Sequence, residues 1–464
     1  METSLPSGSQ AFSPAYGARE RANRERLAVA ALWLVAGGNA LAIVWLWYHG
    51  GNVNGVHSTG ELLTSIARIT GLLGAYSALI QVLLLARLPA LERRVGFDRL
   101  TVWHRWNGHA CLYLILGHVV FSVLGYASMD RFTTQKEIST MIWGGVYPGM
   151  ILASVATFLF IAVVLSSIVI VRRRFRYETW YLVHLTVYAA IALSWFHEIP
   201  TGNELVIDKN AQHYWNSLFI ATLVLLLVFR VGEPLLNAFR YRLKVAEVVV
   251  EAPGVVSLRI AGRGLDRLHA QAGQFFLWRF LSRRDWWKSH PFSLSEAPDG
   301  RSFRITVKSL GDFTSRIGEI APGTRVVAEG PFGVFTDRFR RRDKKLVLIA
   351  GGIGITPVRA LVEEIRGELV VIYRVLAERD IVFRDELERL AAERGFVLHI
   401  VVGDHRTDEG RNHLSPDHLR ELVPEIADCD VYVCGPAGMA DALATNVRHT
   451  AVPSRHLHIE RFAL

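Results

Sequence analysis

Six apolar stretches, each long enough to cross a bilayer, fill the first half of the chain near residues 27–48, 66–88, 103–126, 148–171, 178–197 and 214–232. About 20 helical residues span a hydrocarbon core of ~30 Å, and lipid offers no partner to an unpaired peptide group. These stretches therefore predict a bundle of membrane-spanning helices. Hydrophobic residues make up 51% of the 464, and the excess lies in this half.

Basic residues set the orientation. Arg19, Arg21, Arg24 and Arg26 precede the first span, and Arg87, Arg93, Arg94 and Arg99 lie between the second and third. RRRFR separates the fourth from the fifth, and FRYRLK follows the sixth, whereas the opposite loops carry Arg131, Lys136 and Lys209. This positive-inside pattern predicts a multi-pass protein of the plasma (inner) membrane with both termini cytoplasmic. It also accounts for the net charge of +9, so nucleic acid is not an expected partner. The three cysteines, Cys111, Cys429 and Cys434, lack the spacing of a disulfide framework or zinc site. Residues 1–26 read as a disordered cytoplasmic tail, and the lack of a long N-terminal regulatory segment predicts activity without calcium control.

Ionisable groups within spans are costly and functional by default. His104 and His118 lie 14 residues apart on the third span, and His184 and His197 lie 13 apart on the fifth. Both spans run from inside to outside, and at 1.5 Å per residue the pairs stand ~20 Å apart along the axis. His104 with His184, and His118 with His197, make two pairs at matching depth, suited to axial ligation of two haem irons. A 14-residue step returns to within about 40° of the same helix face, but 13 residues lands about 140° away. The fifth span would need a tilt, a bulge or haems turned relative to one another. The crossed pairing of His118 with His184 stays open. His109 has no partner at the right spacing.

Beyond FRYRLK the pattern changes to short alternating strands, predicting an antiparallel β-barrel at 240–340. From 343 to 464, strands alternate with helices, the signature of a parallel nucleotide-binding sheet. GGIGITP at 351–357 follows a strand and opens a helix, where glycines admit a pyrophosphate to the helix N-terminus. Pro357 replaces the third glycine of the common dehydrogenase fingerprint. Arg374, about 20 residues past the glycines, occupies the position where a basic residue favours a 2′-phosphate, hence NADPH over NADH.

HPFSLS (290–295), SLGDFT (309–314), GPFG (330–333), GGIGITP and VCGPAGM (433–439) occur in this order. Together they resemble the ferredoxin–NADP reductase fold. Joined to the six-span histidine unit at 27–235, the chain resembles the NADPH oxidase and ferric reductase superfamily over nearly its whole length. The resemblance implies a six-helix bundle, a FAD-binding barrel and an α/β NAD(P)H domain, with FAD, two b-type haems and NADPH as cofactors. It implies that His290, Pro291, Phe292 and Ser293 meet the flavin, with Phe292 on the isoalloxazine and Ser293 near its reactive nitrogen. Gly311 and Thr314 would bind the FAD pyrophosphate. Gly351, Gly352, Gly354, Thr356 and Pro357 would hold the NAD(P)H phosphates, and Cys434, Gly435 and Pro436 would border the nicotinamide. Phe462, in the terminal ERFAL, resembles the aromatic that covers the flavin.

The implied activity carries electrons from cytosolic NAD(P)H to an acceptor outside, oxygen or a ferric chelate. Arg68 resembles a basic residue beside the outer haem of oxidases, whereas Ser122 stands where animal-type oxidases place a histidine. A haem-free anchor for a flavin reductase serving a membrane or periplasmic partner is the alternative. A periplasmic protein acceptor, or an oligomer, also fits the pattern.

Overall fold

A computed structural model describes residues 14–168, 177–340, 344–404, 406–407, 410 and 412–462. The RRRFR turn and the last two residues lie outside these. The chain divides into two compact units, Met1–Val231 and Gly232–Leu464.

The first unit contains six helices long and apolar enough to cross a membrane. They are α1 (Pro14–Trp47), α2 (Thr59–Leu84), α3 (Phe97–Asp130), α4 (Met150–Ser167), α5 (Tyr177–Thr201) and α6 (Lys209–Leu226). Large apolar side chains such as Leu34, Tyr113, Phe158 and Leu223 point outward. In water such a belt would drive aggregation; in lipid it is the solvated face. Helix α2 is the central element, and its inward face is small and polar: Gly60, Thr64, Ser65, Ala67, Gly74, Ser77 and Ala78 are buried.

Small residues let neighbouring backbones approach where packing, not water exclusion, must hold helices together. A Cβ on Gly125 of α3 would meet the Thr64 nitrogen at 2.9 Å and the Gly60 oxygen at 3.1 Å. Deeper in the bundle, Asn107 of α3 donates to the Ser77 carbonyl at 2.9 Å and to Gln81 Oε1 at 2.8 Å. At its start, α2 is capped reciprocally by Ser58 and Glu61, as a Ser-x-x-Glu sequence dictates.

The second unit begins with six antiparallel strands: β1 (Lys244–Ala252), β2 (Val255–Ala261), β3 (Phe275–Phe280), β4 (His290–Ser293), β5 (Ser302–Lys308) and β6 (Val326–Phe332). They pair as two three-stranded sheets, β1-β2-β5 and β4-β3-β6. Single bridges join the sheets at both seams, Lys244 to Arg325 and Leu294 to Ile305. The expected barrel is thus two sheets stitched at their edges around Phe276, Trp278, Phe280 and Phe303.

Five parallel strands follow: β7 (Leu346–Gly351), β8 (Leu369–Val375), β9 (Val397–Val402), β10 (Asp430–Pro436) and β11 (Leu457–Phe462). Their order is β11-β10-β7-β8-β9. The chain reverses direction across the sheet between β7 and β10, and ligands of such sheets bind at the carboxyl ends of the strands at that point. β7 leads into α7 (Ile355–Glu364), β8 into α8 (Arg384–Arg394), and β10 into α9 (Ala437–His449).

Candidate functional site

In the first unit, His104 and His118 of α3 face α5 and also reach back to α2. His104 Nδ1 bonds the Gln81 carbonyl at 3.0 Å, and His118 Nδ1 bonds the Ala67 carbonyl at 2.8 Å. A carbonyl only accepts, so each Nδ1 carries the proton and each Nε2 keeps its lone pair. That is the tautomer a metal requires and the outer hydrogen bond that usually orients it. The two carbonyls are themselves 14 residues apart on α2, which runs antiparallel to α3.

The His104 and His184 rings lie 6.1 Å apart between centroids. Two imidazoles on opposite sides of one metal ion, each bonded at about 2 Å, hold their ring centres on the order of 6 Å apart. His118 lies within Coulombic reach of His197. His197 shares the Thr201 hydroxyl, whose oxygen also bonds the His197 carbonyl, and His184 Nδ1 lies 3.4 Å from Ser167 Oγ. The structure therefore brings His104 to His184 and His118 to His197, not His118 to His184. Gly71 leaves room for this arrangement, because a Cβ there would meet His118 Nδ1 at 2.6 Å. His109 is exposed and bonds the carbonyl of Arg105 on its own helix. Arg68 donates to Asn52 Oδ1 at 2.8 Å, and buried Asn52 also bonds Glu204.

In the second unit, the reversal between β7 and β10 brings two predicted motifs together. Gly354 is so close to β10 that a Cβ would meet the Cys434 oxygen at 2.3 Å and Gly435 Cα at 2.9 Å. Gly435 in turn faces Gly351, whose Cα an added Cβ would meet at 3.3 Å. Gly352 has φ +53° and open space around it. The loop thus offers bare backbone and the first-turn N–H groups of α7, with Pro357 inside that turn. Phe462 pairs with Pro436 at the same end of the sheet and packs on the domain core.

Several expectations are modified. The Thr356 hydroxyl is buried and donates to the Ile353 carbonyl at 3.0 Å, so it shapes the loop instead of facing a phosphate. The Cys434 thiol is wholly buried, and burial followed by the nearby Glu460 charge pushes its pKa well above the ordinary value. It is a neutral core group. Arg374 is buried and its guanidinium donates to the carbonyls of Val375, Val401 and Gly410. It ties the strand ends together where a phosphate-facing arginine was expected, because β8 buries every one of its residues.

On the flavin side, Trp278 Nε1 bonds the Phe292 carbonyl at 3.0 Å and fixes β4. Ser293 is buried and Pro291 is exposed. His290 is stacked on Phe313 at 3.9 Å and near-parallel to Phe292 at 6.1 Å, so its faces are taken by aromatic rings. The Gly311 N–H and Thr314 hydroxyl bond each other at 2.9 Å, with the Leu310 N–H on the same oxygen. The SLGDFT loop is therefore closed by its own threonine, and Gly311's donor is committed to that turn.

The sequence gives no sign of the seam between the two sheet systems. Glu386 of α8 accepts from Arg304 of β5 at 2.9 Å through both oxygens and from Arg359 of α7 at 2.7 Å. Glu363 and Glu364 accept from the backbone nitrogens of Ala297 and Ala272. Burial alone would push the Glu386 carboxyl up, but the hydrogen bonds and charges of Arg304 and Arg359 hold it down at about 2. A depressed folded value stabilises above the unfolded value and is lost as pH falls through the folded one. The seam should weaken between about pH 4.5 and 2. Glu386→Gln is expected to cost about 2 kcal/mol at pH 7, discounted for partial exposure, and to flatten this acid limb. Thermal unfolding of the purified chain against pH measures both.

The family description "Ferric reductase like transmembrane component" matches residues 70–195. "FAD-binding domain" matches 240–336, and "Oxidoreductase NAD-binding domain" matches 348–445. Among curated relatives, the ferredoxin reductase component of 3-ketosteroid-9-alpha-monooxygenase from Mycolicibacterium smegmatis is 31% identical over 244 residues, 50% of this chain and 67% of the relative. A probable dihydroorotate dehydrogenase B (NAD(+)) electron transfer subunit from Methanopyrus kandleri is 36% identical over 159 residues, 33% of this chain and 57% of the relative. The chain thus spans 57% of that relative's length. Among solved structures, the FAD/NAD binding domain of a Vibrio cholerae nitric oxide dioxygenase is 23% identical, covering 48% of this chain and 98% of that one, with a TM-score of 0.39.

Proposed function

We propose that this chain, which belongs to the NADPH oxidase and ferric reductase superfamily, carries electrons from cytosolic NADPH or NADH across the plasma (inner) membrane to an acceptor outside, oxygen or a ferric chelate. Bound FAD would supply hydride acceptance and single-electron release, and two b-type haems would supply one-electron relay through the bilayer.

The chain's own groups divide this work. Gly351, Gly352 and Gly354 bring bare backbone and the α7 N-terminus to the dinucleotide phosphates, where N–H donors and the helix dipole favour negative charge. Gly435 and Pro436 end β10 beside them, and Phe462 stands at the same sheet end to shield the flavin. Phe292 and Ser293 offer the flavin an aromatic face and a hydroxyl from β4. The SLGDFT turn, closed by Thr314, presents the rest of its backbone for the FAD pyrophosphate. Four imidazoles, His104 with His184 and His118 with His197, would hold the two haem irons. The α2 carbonyls hold the first ligand of each pair in the metal-binding tautomer.

The observation that carries this reading is the shared geometry of α2, α3 and α5. Two Nδ1 donors are committed to backbone carbonyls, and an imidazole pair is set 6.1 Å apart. Basic residues in the loops favour cytoplasmic termini, so the outer pair lies nearer the acceptor.

The test is a dithionite-reduced minus oxidised spectrum of the detergent-purified protein, with haem and FAD quantified per chain. Two b-type haems and one FAD are expected. Superoxide-dismutase-sensitive reduction of a dye would then identify oxygen as acceptor, and ferrous iron formation a ferric chelate. A flavin-replete, haem-free protein would overturn the relay and leave a membrane-anchored flavin reductase.

A further inference from the structure

The sixth candidate span runs as far as Tyr241, 33 residues in all. At 1.5 Å per residue that is ~50 Å, well beyond a hydrocarbon core of ~30 Å. Its last turns, the helix Glu233–Tyr241, pack on β6. They present Leu235, Leu236, Phe239 and Arg240 outward, while Tyr241 is buried and Glu233 and Asn237 are half-buried. The outward positions recur at a spacing of four and so share one face of the helix. A helix on a soluble domain turns its polar side outward. This one does the reverse, as a helix lying in the lipid headgroup layer does.

The strands continue that surface sideways. The Val326 N–H bonds the Leu243 carbonyl at 2.9 Å, Lys244 bridges to Arg325, and the Leu281 N–H bonds the Arg325 carbonyl at 2.9 Å. Segments 243–244, 325–326 and 280–281 therefore lie side by side, and at ~4.8 Å per strand the third is ~10 Å from the first. Leu281 opens the loop into β4, LSRRDWWKS at 281–289. Its one acid is turned inward: Asp285 is buried, pairs with Lys288 at 3.3 Å and reaches Arg316 at 3.9 Å. Ser282 Oγ accepts from the Asp285 N–H at 3.2 Å and tightens the turn. What the turn shows outward is Leu281, Arg283, Arg284 and Trp286, the last 59% exposed. Lys244 and Arg325 are exposed beside them. Among the described residues none of these four cations pairs with a carboxylate. The positive-inside pattern accounts for Arg240, Arg242 and Lys244, which adjoin a span. It does not account for Arg283, Arg284 and Arg325, which lie far beyond it in a folded domain.

We propose that this corner of the second unit is a docking surface for anionic phospholipid. Trp286 and Leu281 enter the headgroup layer, and Arg283, Arg284, Lys244 and Arg325 meet the lipid phosphates. Tryptophan suits that layer because its body is apolar and its N–H stays wet, and arginine holds phosphate through parallel N–H bonds. Covalent continuity with the spanning helix keeps the surface at high local concentration near the bilayer. The loop ends at His290, where β4 begins, so lipid charge acts on the placement of the strand proposed to meet the flavin. The inference needs the spanning helices and not the haem relay.

The test uses the full chain in nanodiscs of phosphatidylcholine alone or mixed with phosphatidylglycerol. Leu281→Cys keeps Trp286 and every charge, and Cys111, Cys429 and Cys434 are buried, so a polarity-sensitive thiol dye marks the loop. A lipid spin-labelled at its headgroup quenches the dye on contact. Quenching is expected in the anionic discs, weak in the neutral ones, and lost as salt screens the charges. Each basic residue at an anionic surface is worth about fivefold in the docked-to-free ratio. Arg283→Gln with Arg284→Gln, both at exposed positions, should therefore lower that ratio ~25-fold. Equal quenching in the two lipids, or in wild type and the double variant, overturns the proposal. A dye shielded from water yet unquenched by lipid also overturns it, since protein, such as a second copy, then covers the loop. Haem absorbance is read on the same discs. Its absence sinks the relay and leaves the docking surface standing, whereas charge-independent quenching in a haem-replete protein sinks only the docking surface.

Discussion

Replacing His118 with alanine is expected to lower the haem content of the purified protein to about half and to stop reduction of the outer acceptor. Reduction of the flavin by NAD(P)H should persist, because every residue proposed for that step lies in the second unit. Of the two α3 histidines proposed as ligands, His118 makes the shorter bond to α2, at 2.8 Å from the Ala67 carbonyl, and alanine removes both ring nitrogens. Gly71→Ala is the companion variant. Its methyl would arrive 2.6 Å from His118 Nδ1, so the ring must turn away from its carbonyl. A partial loss of haem with a shifted midpoint potential is expected there. Redox titration of the haem absorbance, followed by anaerobic mixing with NADPH, separates the two results. An unchanged haem content in His118→Ala would remove that residue from the ligand set.

Gly354→Ala should damage the glycine loop of the second unit severely. Gly354 has φ −60° and ψ −8°, a conformation alanine adopts freely, so backbone strain plays no part. The damage is steric, since the atoms a Cβ would strike, the Cys434 carbonyl and Gly435 Cα, are main chain. Neither side can yield by changing rotamer. Forcing β10 from the start of α7 should cost about 3 kcal/mol, the upper end for overpacking, and reduce NAD(P)H affinity by about a hundredfold. Gly352→Ala provides the contrast: φ is +53° with open space, so only a left-handed backbone cost of about 1–2 kcal/mol applies. Anaerobic bleaching of the flavin against NAD(P)H concentration measures both. Comparable behaviour of the two variants would show that the close approach is not what organises the loop.

The extent to which the sequence foretells these sites follows from what each depends on. Spanning helices are written in runs of apolar residues, and the strand–glycine–helix order marks β7 and α7, because both signals are local. Histidine depth follows from counting residues along a helix. The angular mismatch of the 13-residue step on α5 did not decide the pairing, since His184 meets His104 ring to ring. What holds the histidines was not legible: the acceptors at positions 67 and 81 are peptide oxygens, identical for any residue type. Arg374 shows the converse. Its distance from the glycine loop was readable, but its depth depends on β8 lying between β7 and β9. The Arg304–Glu386–Arg359 seam joins residues far apart in sequence, and no single segment carries its pattern.

The α2 carbonyls behave as a ruler. Ala67 and Gln81 are separated by the same count of residues as His118 and His104, so one helix gauges the other. Exchange of the side chain at 67 or 81 leaves the peptide oxygen in place, so the histidine contacts themselves ask nothing of the residue type at either position. A single residue inserted between them cannot be tolerated in the same way. It would rotate the far half of α2 by about 100° and advance it by ~1.5 Å, so at most one histidine could stay in register. The conserved quantity on α2 would then be a length, visible as an absence of gaps and not as a shared letter.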